Sequence, residues 1–160
     1  MRTIAFGLAV LGLVAAASAQ DIQKLKRTAK SPKELAVQGH VNIKDTCETK
    51  EPPEFDLDIP PKGGIVCTRS GMVRLASPWS DRNQHCIGRR INGVFVIYVP
   101  FGTFIGLDTM QYTVRVEPSQ MRTYAAEIRV EAGPTPIGPK SAPSQPQKAG
   151  PLPACTAFVS

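Results

Sequence analysis

The sequence predicts an all-β protein built as a single two-layer sandwich. Three observations carry this: several short runs that alternate apolar and polar residues, turn signals between them at regular spacing, and no long stretch with helical period. The clearest run is Asp108 to Val116, where Met110, Tyr112, Val114 and Val116 alternate with Thr109, Gln111, Thr113 and Arg115. That period of two marks a strand with one buried face.

Residues 1–19 read as a secretory signal peptide, with Arg2 at the start, an apolar run from Ile4 to Val14 and a small-residue Ala17-Ser18-Ala19 finish. The run is short for a membrane span. This predicts a periplasmic or secreted protein with no stable membrane insertion of the mature chain. Removing Arg2 takes the formal charge from +6 to +5. A basic exported chain of this kind suits a protein or envelope-polymer partner. Nucleic acid is not expected, because no basic stripe is interleaved with aromatics.

Residues 20–40 are polar and basic, broken at Ser31-Pro32, and are expected to form a flexible arm. The sandwich domain is placed at 41–132. VNIKDTC (41–47) reads as a short strand. The following segment to Gly64 holds four prolines and reads as a loop or edge segment. GIVCTRSGMVRLA (64–76) is a strand, or two folded at Ser70-Gly71, and SPWSDRNQHCIGRR (77–90) a long connection. Asn92-Gly93 is a strong turn signal, followed by a β-branched and aromatic strand that Pro100 ends. After the 109–116 strand, Glu117-Pro118-Ser119-Gln120 turns the chain into a last strand, 121–132. Residues 133–153 contain seven prolines and read as an extended linker, with 154–160 as a terminal segment that Cys155 anchors.

Cys47, Cys67, Cys86 and Cys155 form an even set in an oxidising compartment, so two disulfides are expected. Three pairings are open. Cys67 and Cys86 flank the 77–90 excursion, which favours joining them and leaves Cys47 with Cys155. The spacings of 20, 19 and 69 residues include no C-x-x-C, which argues against zinc.

Asp108-Thr109-Met110-Gln111-Tyr112-Thr113-Val114 resembles the D-x-A-x-Y-x-C corner of immunoglobulin-type sandwiches, with Met110 at the small position and Val114 in place of the cysteine. More broadly, residues 61–130 resemble bacterial Ig-like, cadherin-like domains of secreted and surface proteins. The matching blocks are Pro61 to Val66, Ile97-Tyr98-Val99-Pro100, Phe104 to Val114 and Glu127 to Val130. The resemblance implies a Greek-key sandwich in which Gly106, Asp108 and Tyr112 form a structural corner. There the aspartate bonds to local backbone, and the buried tyrosine returns its hydroxyl to the chain.

No catalytic constellation or cofactor motif is apparent. Ser80, Asp81 and His85 lie too close together in one loop, without a G-x-S-x-G elbow. The acidic run 48–58 lacks the spacing that wraps calcium. Trp79, Arg82, Arg89, Arg90 and Phe101 are the candidate partner-binding residues, since tryptophan and arginine dominate interface anchors. The sequence therefore reads as a non-enzymatic exported module that binds or scaffolds at the bacterial envelope. The alternative is a small secreted inhibitor or effector acting through loop 77–90.

Overall fold

The alternation at Asp108 to Val114 is realised in full. In the computed structural model, which describes residues 22–134 and 146–155, Asp108, Met110, Tyr112 and Val114 are all buried, while the residues between them face outward or are half-buried. The chain forms eight strands: β1 (Ile22–Ser31), β2 (Leu35–His40), β3 (Glu54–Ile59), β4 (Gly64–Arg74), β5 (Arg90–Pro100), β6 (Gly106–Glu117), β7 (Gln120–Ala132) and β8 (Gly150–Pro151). They make two sheets, one in the order β1-β7-β6-β3-β8 and one in the order β2-β5-β4. The fold is all-β and sandwich-like. Tyr98, Tyr112, Leu57, Met110, Ile128 and Val96 are among the side chains fully enclosed between the layers.

Residues 22–40 are not an arm. β1 runs parallel to β7 over ten paired positions, and β2 pairs with β5. The inward positions of β1 are Leu25, Arg27, Ala29 and Ser31, so its alternation is there but is carried by small and polar residues. Residues 41–47 form a turn with one isolated bridge, Ile43 to Thr49, in place of the expected strand. The proline-flanked EFDLDI segment is β3, which lies inside its sheet between β6 and β8. The prolines sit outside the ladder, where their missing N–H is harmless. β4 runs unbroken through Ser70-Gly71.

Asn92-Gly93 does not turn the chain: both residues lie within β5 and pair with Met72 and Gly71 of β4. A Cβ at Gly93 would run into the carbonyl oxygen of His40, so the glycine serves close strand approach. The Pro118-Ser119 turn between β6 and β7 is as expected. Residues 1–19, and with them the expected signal peptide, lie outside the described residues, as do 135–145 and 156–160. No helix among the described residues is long and apolar enough to cross a membrane.

The last described segment returns to the domain instead of trailing as a linker. β8 pairs with β3, and Ala154 bridges Thr68 of β4. The Gln147 side-chain amide accepts from the Val66 N–H and donates to the Val66 carbonyl. This segment covers part of the open edge of β4. On the opposite side the Arg27 guanidinium donates to the Val37 carbonyl (2.7 Å) and to Gln38 Oε1 (2.9 Å), bridging β1 to β2.

All four cysteines are paired, but as Cys47–Cys86 and Cys67–Cys155. The expected Cys67–Cys86 bridge fails because β4 places Cys67 on the sheet edge beside the returning segment, while the 77–90 loop folds onto the turn that holds Cys47. Cys67–Cys155 spans 88 residues, a loop length worth about 4–5 kcal/mol in the chain-entropy description. Non-reducing peptide mapping should recover the Cys47–Cys86 and Cys67–Cys155 peptides. Removing Cys67 and Cys155 together should lower stability by several kcal/mol. Recovery of Cys67 joined to Cys86 would contradict the fold.

Candidate functional site

The sandwich has two ends of different character. At one end lie the β3–β4 and β5–β6 connections. Here Asp108 is buried at 3% exposure, and its carboxyl group fills its acceptor sites from both sheets. The Lys62 and Thr109 N–H groups donate to Oδ1, and the Gly63 N–H and the Tyr98 hydroxyl to Oδ2, at 2.8–2.9 Å. Burial and this bond push the Tyr98 hydroxyl far above its ordinary range. The corner therefore differs from the expected one. Asp108 reaches backbone 45 and 46 positions away as well as its neighbour, and Tyr98 supplies the hydroxyl. Gly106 opens β6 with φ of 136°, which glycine tolerates.

Tyr112 is buried as expected, but its hydroxyl does not return to the backbone. It lies 3.0 Å from His40 Nε2. His40 also packs edge-on against Tyr124 at 4.8 Å between ring centres, and Tyr112 and Tyr124 stack at 5.2 Å. Burial, helped by the charge of Arg122, pushes the His40 pKa down to about 3. Burial pushes Tyr112 well above its ordinary range. An imidazole with so little affinity for a proton is a weak general base; it serves as a neutral hydrogen-bonding partner.

At the other end, loop 77–90 folds as a short 3₁₀ turn over Asp81–Cys86. Ser80 caps it by accepting from the Arg82 N–H, and His85 Nε2 lies 3.6 Å from Cys86 Sγ. Ser80 and His85 are thus occupied separately. Cys47, Cys86 and His85 cluster within 4.8 Å, but the two sulfurs are joined, leaving the imidazole as the remaining strong ligand. The disulfide sits in a small apolar cluster with Val41, Ile43, Val73, Leu75 and Ile91, which fixes the loop on the sandwich.

This end gathers most of the sequence candidates. Arg82, Arg89 and Arg90 are exposed. Arg82 reaches Asp45 at 3.7 Å. The side chains of Arg89, Arg90 and Arg74 meet no carboxylate among the described residues. Arg74 and Arg90 stand directly opposite each other across β4 and β5, a like-charge arrangement that disfavours the isolated strand pair. Trp79 is half-buried, and its ring lies 4.5 Å from the Arg122 guanidinium. Phe101 is not part of this group. It follows the far end of β5, where its N–H donates to the Gly63 carbonyl.

Residues that sequence reasoning missed complete the picture. Arg122 Nη2 donates to the carbonyl oxygens of Pro78 and Trp79. With Trp79, Tyr124, His40, Gln38 and Arg74 it lines a cavity of about 310 Å³ between the layers beneath the loop. Only the tryptophan carried a signal in the sequence, because the cavity joins four strands that are distant along the chain.

Comparison with protein-family models, with curated proteins and with solved structures finds no match.

The depressed His40 pKa fixes a sign for pH dependence. The unfolded chain takes up a proton near pH 6.5 that the folded protein refuses until about 3. His40 thus contributes stability that is fully present above pH 6.5 and is lost as pH falls towards 3, at up to about 1.4 kcal/mol per unit. Urea midpoints should therefore fall between pH 7 and 5, and His40→Gln should flatten that slope. An unchanged slope would show that His40 is not buried in its neutral form.

Proposed function

We propose that this protein is an exported, non-enzymatic Ig-like module that binds an anionic polymer of the bacterial cell envelope through its arginine-bearing end. The observation that carries this reading is the set of Arg74, Arg89 and Arg90. Arg74 and Arg90 pair across β4 and β5 and Arg89 adjoins Arg90, without a neutralising carboxylate among the described residues, on an end that a disulfide holds fixed. Folding gains nothing from two like charges held face to face, whereas a bound polyanion relieves the repulsion.

Support for the Ig-like part comes from strand order. β2, β4 and β5 share one sheet while β3, β6 and β7 share the other, so the chain changes layers as B, C, D, E, F and G strands do in an immunoglobulin-type Greek key. The paired cysteines support export. The stapled loop, with Ile87 47% exposed, favours a second reading in which the protein is a secreted inhibitor or effector that docks loop 77–90 on a protein.

The test is binding of the mature protein to purified anionic envelope polysaccharide across a salt series. Binding should weaken as salt rises. Arg89→Ala/Arg90→Ala should lose roughly tenfold in affinity, about 1.4 kcal/mol. Binding that ignores salt and the double substitution would reject the polymer reading. Saturable capture of a protein that depends on Ile87 would favour the second.

A further inference from the structure

The cavity beneath loop 77–90 has a chemistry of its own. Its wall carries two arginines, Arg74 and Arg122, and no aspartate or glutamate. His40, which also lines it, is neutral, so the wall is cationic. Arg122 spends Nη2 on two long bonds to carbonyl oxygens, at 3.3 and 3.5 Å, its guanidinium also interacts with the Tyr124 hydroxyl, and it has no ion-pair partner among the described residues. A guanidinium carries five donors in a planar fork suited to an oxyanion. Around it stand flat apolar surfaces. Trp79 stacks with the guanidinium, and Tyr124 is held by its stack on Tyr112. Gln38 adds an amide, already engaged by Arg27 and so fixed in place. The volume lies at the small end of the range for ligand sites.

We infer that this cavity binds a small organic oxyanion, a carboxylate or phosphate on an apolar body about the size of one aromatic ring. Arg122 is its principal anion contact, Arg74 adds to the field at the mouth, and Trp79 and Tyr124 pack the body. A neutral molecule of the same shape leaves the guanidinium without its counter-ion and binds weakly. The site shares Arg74 with the polymer-binding set, whereas Arg89 and Arg90 do not line the cavity.

Trp79 is the chain's single tryptophan, so its emission reports on the cavity directly. The mature protein is titrated with benzoate, phenyl phosphate and, as the uncharged counterpart, benzyl alcohol. At least one of the two anions should give a saturable change in emission, and the stronger of them identifies the preferred head group. Benzyl alcohol should bind at least tenfold more weakly. Arg122→Gln should lose tenfold or more in affinity, and Arg89→Ala/Arg90→Ala should bind as the wild type does. Should Arg122→Gln fail to fold, Arg74→Gln, followed by calorimetry, replaces it and should weaken binding several-fold. No saturable response to either anion overturns the proposal. So does an equal response to benzyl alcohol, or wild-type affinity in the folded arginine variant.

Discussion

The buried carboxyl group of Asp108 is the constraint from which the architecture follows. A side chain on β6 accepts from the backbone that leads into β4, from the Tyr98 hydroxyl of β5 and from its own neighbour. One residue thereby fixes the distance between the two sheets and the entry angle of two strands. Replacing it with an apolar residue would strand three backbone N–H groups and a hydroxyl. The Gly63 N–H and the Tyr98 hydroxyl are buried, and each such stranded donor costs about 1–3 kcal/mol. Apolar contact alone tolerates sliding of one layer over the other; directed bonds to a single carboxyl group do not.

The rest of the sandwich is closed around that clamp with unlike materials. Arg27 links the layers on one side by side-chain bonds to β2. The returning segment closes the other, with Cys155 locked to Cys67 and Gln147 imitating a strand against Val66. At the end remote from Asp108, the Cys47–Cys86 bridge and its apolar cluster hold loop 77–90. Arg74, Arg89 and Arg90 and the cavity lined by Arg74 and Arg122 all lie at this held end. His40 and Tyr112 are paired and buried beneath them, and burial keeps the imidazole neutral.

What could be read from the sequence was local. β6 and β7 were legible because apolar and polar residues alternate along them. β1 was not, because its inward residues are Leu25, Arg27, Ala29 and Ser31, and because its partner β7 is about a hundred residues away. Parallel pairing over such a distance leaves no periodic trace. Asn92-Gly93 misled for a related reason: the glycine answers to the His40 carbonyl across the sheet, not to a turn. Proximity along the chain suggested joining Cys67 to Cys86, whereas strand β4 separates them. At the site, Trp79 and the arginines of the loop stood out by residue type. Arg122 and His40 did not, since a lone arginine in a strand and a lone histidine look like any others until the fold brings them together.

The role of Asp108 can be measured amide by amide. Hydrogen exchange on the wild-type protein, read by NMR, should show the Lys62, Gly63 and Thr109 N–H groups protected to the same degree as the central amides of β6, opening only with global unfolding. Lys62 side-chain exposure makes this a demanding test, because a surface loop of that kind ordinarily exchanges fast. Exchange of these three amides at loop-like rates, with β6 still protected, would show that the carboxyl group does not hold the layers together.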